Sequence, residues 1–159
     1  MDKWDARFAN LTKLVSLWSK DPSTKVGAAI VRPDKTVCSV GYNGFPRGVP
    51  DKDEWYADRN IKYKIVQHAE ANALHFAQEK LEGYTLYVYP LCPCATCAGA
   101  IIQNGIKRVV SIVTPQGLER FQNDETFGFE LTRMMFEAAG IEFEIAVDEG
   151  DMLEVANGS

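Results

Sequence analysis

At 159 residues, with 46% hydrophobic and 25% charged side chains, the chain has the size and composition of one globular domain and not of a disordered segment. A chain this long buries about 70% of its unfolded surface, so its core needs no disulfide scaffold. A net charge of −5 argues against a nucleic-acid partner, because such binding rests on Lys and Arg neutralising phosphates.

The longest apolar run, Val26 to Val31, is far too short to cross a bilayer, which argues against a membrane partner. Met1–Asp5 has neither the basic start nor the apolar stretch of a signal peptide. The expectation is a cytoplasmic protein. No repeat or shift in composition divides the chain, so a single domain is expected over residues 1–159.

Apolar residues at 4, 8, 11, 14, 15 and 18 follow helical spacing, which predicts an amphipathic helix over the first twenty residues, ended by Asp21-Pro22. Trp4 and Trp18 fall on its apolar face. Val26–Arg32 and Thr36–Tyr42 read as an antiparallel strand pair joined by Pro33-Asp34-Lys35. Residues 43–60, punctuated by Gly and Pro, read as a long functional loop.

A helix is predicted from His68 to Lys80, then a strand at Tyr84–Tyr89 stopped by Pro90. Another helix follows at Ala95–Asn104, closed by Gly105, and a strand at Arg108–Val113. Residues 114–124 read as a loop, Glu125–Ala139 as a helix, and Glu142–Val147 as a fifth strand ahead of an acidic tail. Two strands followed by helix–strand repeats imply an α/β fold: a three-layer α/β/α sandwich around a mixed five-stranded sheet.

Three of the four cysteines, Cys92, Cys94 and Cys97, lie within six residues. Neighbours that close make poor disulfide partners, and in a reducing compartment they point to a metal or to redox chemistry. Cys94-x-x-Cys97 opens a helix, so its first turn brings both sulfurs to one side. His68 at another helix start supplies a third ligand. Thiolate and imidazole donors suit zinc, and three protein ligands leave a tetrahedral position for water.

Glu70, two residues from His68, is then placed as general base and general acid for that water. Taken singly, each motif also fits bland alternatives: a redox dithiol, buried thiols, or a structural histidine. Together they reproduce the H-x-E…P-C-x-x-C pattern of zinc deaminases.

The chain resembles the deoxycytidylate (dCMP) deaminase family over most of its length, up to about residue 113. The resemblance rests on Asp21-Pro22-Ser23-Thr24-Lys25-Val26-Gly27-Ala28, on Gly41-Tyr42-Asn43-Gly44-Phe45-Pro46-Arg47-Gly48, on His68-Ala69-Glu70-Ala71-Asn72-Ala73 and on the cysteine segment. The family's fold is the cytidine deaminase-like sandwich. Its chemistry implies hydrolysis of dCMP to dUMP and ammonia, supplying dUMP for thymidylate synthesis, with one zinc per chain held by His68, Cys94 and Cys97.

Glu70 would carry protons to ring N3 and then to the departing amine. The backbone N–H of Ala69 would hold ring O2, the carbonyl near Pro93 would receive the amine, and Asn43 would bind the sugar hydroxyl. Lys25 and Arg120 are candidates for the substrate phosphate. The resemblance also implies dCTP activation and dTTP inhibition with Mg2+, with Lys3, Gly44, Arg47 and Gly48 as candidate effector contacts. A homo-oligomer, a hexamer, is implied as well. A relative acting on dCTP, cytidine or another base, and a structural zinc module, are the alternatives. Cys92 and Cys38 read as packed thiols.

Overall fold

The protein was analysed as a computed structural model that describes residues 1–123 and 128–150. Five strands form one mixed sheet in the order β2-β1-β3-β4-β5. β1 (Gly27–Val31) is antiparallel to β2 (Val37–Tyr42) and to β3 (Thr85–Tyr89). β4 (Arg108–Val113) and β5 (Glu142–Val147) then run parallel to β3. The parallel half needs helical crossovers, and the sequence supplies α5 (Ala95–Gln103) and α7 (Phe129–Ala139) for them.

Alternation along the strands divides the core in two. Ala28, Ile30, Leu86, Val88 and Val109 face α4 (Ala69–Phe76), α5 and α7, where Ala73, Ala98, Ile101 and Phe136 fill the interior. Val31, Tyr87, Val110 and Ile112 face α1 (Lys3–Ser16), which contributes Phe8 and Ala9. This is the expected three-layer sandwich. At the foot of α1, Asp5 accepts a two-pronged bond from Arg108 at 2.9 and 2.8 Å and the Tyr87 hydroxyl at 2.6 Å, which pins the helix to β3 and β4.

Two glycines let helices touch the sheet. A Cβ at Gly27 would strike the backbone of Thr12 and Ser16 in α1, and one at Gly41 would strike the backbone of Ala69 and Ala73 in α4. Close packing at Gly41 sets the height of α4, the helix that bears the candidate catalytic carboxylate.

Several elements differ from the sequence expectation. The 43–60 segment is no plain loop. It holds α2 (Asp53–Ala57), seated by buried Tyr56, and runs into α3 (Arg59–Ile65), whose N-cap Asp58 accepts from the N–H groups of Asn60 and Ile61. Residues expected as a loop at 114–124 contain α6 (Pro115–Asn123), which opens on proline and buries Gly117 and Phe121.

The helix expected to reach Lys80 ends at Phe76, and beyond it Glu79 is drawn to Arg32 and Tyr84. The first helix stops at Ser16, leaving Trp18 51% exposed with its ring edge against Tyr42 and off the apolar face. The expected helix start at Glu125 and most of the acidic tail lie outside the described residues. Among the described residues no helix is long and apolar enough to cross a membrane.

Candidate active site and metal centre

The site forms where two helix starts meet beside the sheet. His68 is the N-cap of α4 and Cys94 the N-cap of α5, its sulfur accepting from the Cys97 N–H. His68 Nδ1 stands 3.5 Å from Cys94 Sγ and 3.4 Å from Cys97 Sγ. Among the described residues, these three form the group of donor side chains close enough to share a metal ion.

The donor set fits zinc. Tetrahedral bonds of about 2.3 Å to sulfur and 2.0–2.1 Å to nitrogen put S and N about 3.6 Å apart, close to both separations found. Cys92 is not in the group; its thiol is buried among Val113, Phe121 and Phe129, and that burial pushes its pKa up to about 12. Three protein donors leave the fourth position free for water, and His68 and Cys94 border a cavity of about 520 Å3.

The electrostatics favour ligation. A hydrogen bond from the Cys97 thiol, helped by His68, holds the Cys94 thiol well below the ordinary range, while Cys97, which keeps the proton of the pair, is pushed up. A cation among the three donors displaces that proton, and both sulfurs then bind as thiolates. Hydrogen bonding to Cys94 raises His68.

Glu70, in the first turn of α4, is 5% exposed and lines the same cavity. Burial raises its carboxyl above the usual range, against the opposing pull of His68. A carboxyl raised in this way holds a proton more firmly than an exposed one, which suits a group that first takes a proton and then hands it on. Ala69, also on the cavity wall, is the first helical residue of α4, so its N–H lacks an intrahelical partner.

The cavity wall also includes a buried polar cluster. Asp21 accepts from Lys62 Nζ at 2.9 Å, from the Asn43 amide at 3.3 Å and from the Ser23 N–H at 2.8 Å. Asn43 lines the cavity, but both amide hydrogens are engaged, on Asp21 and on the Thr24 carbonyl, and Oδ1 accepts the Val26 N–H at 2.9 Å. One lone pair of Oδ1 remains for a ligand.

Lys25 does not line the cavity. Its ammonium binds the Ser19 carbonyl, while its neighbour Val26 faces the cavity, as alternation in an extended chain requires. Pro93 is not on the wall either, and its carbonyl accepts the Thr132 hydroxyl at 2.8 Å. Arg120 does line the cavity, from α6.

Sequence reasoning missed Arg59, Lys62 and Tyr56, which the two unpredicted helices bring to the wall. The available signal was two cations at i and i+3 behind an Asp cap, just ahead of His68.

The candidate effector residues divide in two. Gly44 exchanges both backbone bonds with Gln67, the residue before His68, and the Arg47 guanidinium lies 4.5 Å from the centre of the Phe76 ring. Gly48 has a φ of 82°, a conformation that suits glycine. Lys3 stands at the start of α1, whose far end reaches Asn43 through Ser19; a 14-residue helix puts about 21 Å between those ends.

Comparison with known proteins agrees with this geometry. The sequence profile of the cytidine and deoxycytidylate deaminase zinc-binding region matches residues 2–113. A protein from Aliivibrio fischeri described as an uncharacterized deaminase is 42% identical over 142 residues, covering 89% of this chain and 92% of the relative. Mouse deoxycytidylate deaminase is 36% identical over 150 residues, covering 89% and 78%. In fold, the dCMP deaminase of cyanophage S-TIM5, solved with dCMP and dUMP, superposes with a TM-score of 0.69 at 24% identity over 91% of this chain and 98% of that one. With its three-donor metal centre and buried glutamate, the chain belongs to the cytidine and deoxycytidylate deaminase family.

Proposed function

We propose that this chain catalyses the hydrolytic deamination of dCMP to dUMP and ammonia. The observation that carries the reading is the cavity. Its wall brings together an open three-donor metal site, buried Glu70 and the cations Arg59, Lys62 and Arg120, a combination that suits a base carrying a phosphate. Curated relatives bearing the name deoxycytidylate deaminase, from mouse and human among others, support the substrate. So does the dCMP and dUMP complex of the phage enzyme.

Zinc, when bound by His68, Cys94 and Cys97, supplies a water acidic enough to serve as nucleophile near neutral pH. Glu70 takes the proton released as oxygen bonds to C4 and delivers it to ring N3. It then passes a proton to the C4 amino group, whose C–N bond breaks to release ammonia and leave the C4 carbonyl of dUMP. The Ala69 N–H donates to ring O2, and the free lone pair of Asn43 Oδ1 accepts the sugar hydroxyl. Residues 1–159 act as one such domain.

The reading extends to cytoplasmic dUMP supply for thymidylate synthesis and to a homo-oligomer, a hexamer. It also takes in activation by dCTP and inhibition by dTTP with Mg2+. The Gly44–Gln67 backbone pair supports regulation, because it ties the Arg47 turn to the residue preceding His68. The test follows loss of cytosine absorbance with dCMP, deoxycytidine and dCTP as substrates, each with and without magnesium-dCTP as effector. Turnover of dCMP above the other two, raised by the effector, is expected. Preferred turnover of deoxycytidine would overturn the substrate, and an unchanged rate with effector would overturn the regulation.

A further inference from the structure

We propose that the metal ion reaches and leaves its three donors through a second groove beside the substrate cavity, and that Leu131 of α7 forms the rim that limits its passage. The inference rests on the metal reading of His68, Cys94 and Cys97 and not on the identity of the substrate. His68 and Cys94 border two openings. One is the cavity described above. The other is a groove of about 510 Å3 that they share with Cys97, which does not border the cavity. The groove therefore meets all three donor residues, whereas the cavity meets two of them together with Glu70. Both cysteines are buried, so an ion needs a defined path to them.

Charge separates the two routes. The groove is walled by the end of α3, by Ala71 of α4, by the first turn of α5 and by the start of α7. Among the described residues its wall carries no Asp, Glu, Lys or Arg. A divalent cation in the cavity instead meets Arg59, Lys62 and Arg120 on the wall, against Glu70 and an Asp21 already paired with Lys62. Like charges repel, and they do so more strongly where a wall of low dielectric excludes water. The groove sets no such barrier.

Leu131 is placed to control the groove. It lines the wall yet is 50% exposed, so it stands at the solvent side. A Cβ built at Gly128 would lie 3.1 Å from the Ala95 Cβ and 3.4 Å from Leu131 Cδ1, so this side chain hangs close to the first residue of α5. Met134, one turn further along α7 and 58% exposed, borders neither the groove nor the cavity.

The test follows zinc exchange in the whole chain, with release read by a chromogenic chelator in excess and uptake by adding zinc to metal-free protein. Leu131→Ala should speed release and uptake together, each by at least about three-fold, and leave zinc affinity unchanged, because a wider rim alters the path and not the donors. Thr96→Trp, which adds bulk at an exposed position of the same wall, should slow both. Met134→Ala trims the same helix outside the groove, and Arg59→Gln removes a cation from the cavity wall; both rates should stay as they are in each.

Exchange unchanged in both Leu131→Ala and Thr96→Trp would overturn the proposal. So would faster exchange in Arg59→Gln, which would put the path in the cavity, or equal acceleration in Met134→Ala, which would mean a general loosening of α7. Faster release without faster uptake in Leu131→Ala would mean a weakened site and not a wider path, and would overturn it too. Exchange is read without substrate, so failure of the proposed reaction leaves the route standing.

Discussion

Alanine at Gly41 tests how the sheet holds the catalytic helix. The added Cβ would meet the Ala69 carbonyl oxygen and the Ala73 nitrogen, both backbone atoms of α4 that cannot swing aside as a side chain would. Relief requires α4 to move off β2, and overpacking of that kind costs about 1–3 kcal/mol. For a chain of this length the cost lowers Tm by about 2–12 °C.

The same shift moves Glu70, and with it His68 at the helix N-cap, so turnover should fall about hundred-fold, the usual penalty for about 1 Å of misplacement. Gly99→Ala in α5 is the control: its Cβ would meet nothing closer than the Met135 methyl at 3.8 Å, and alanine favours a helix by about 1 kcal/mol. Thermal melts and dCMP turnover on both variants decide the matter. A Gly41→Ala protein with unchanged Tm and rate would refute the argument that α4 rests on that glycine.

Other outcomes follow from named contacts. Cys97→Ser and His68→Ala should each lower zinc content well below one per chain by metal analysis, since each removes one of three donors. Thr132→Val deletes a buried bond to the Pro93 carbonyl and should cost about 1 kcal/mol in denaturant unfolding, with the cysteine segment loosened. Burial works against the Asp5 carboxylate, but its bonds from Arg108 and Tyr87 outweigh that and hold its pKa below the usual value. Its contribution is therefore present above about pH 4 and lost as pH falls through the lowered value. The stability gap between the unmodified protein and Asp5→Asn should be widest near pH 6 and shrink as pH falls below about 4, as read by denaturant melts.

What the sequence disclosed was mostly local. His68, Glu70, Cys94 and Cys97 are legible because two helix starts each carry a short motif, and the fold needs only to bring those starts together. The sheet was legible too, since its strands alternate or run apolar between clear breaks. The cationic part of the cavity wall was not. Arg59 and Lys62 sit on a seven-residue helix held by the Asp58 cap and by tertiary contacts, with no period long enough to announce it.

Lys25 drew attention as a cation inside a motif, yet extended backbone turns alternate residues to opposite sides, and Val26 took the cavity. Residues 114–124 read as a loop. Proline is in fact well placed at the start of a helix, and Gly117 is required where α6 presses on the Pro90 carbonyl.

The most direct test of the account is dCMP turnover in unmodified and Glu70→Gln protein, with zinc measured in both. The account predicts one zinc per chain in each, dUMP and ammonia from the unmodified protein, and a rate about 100- to 10,000-fold lower once the carboxylate is gone. Equal rates in the two zinc-loaded proteins, or no dUMP from either, would contradict it.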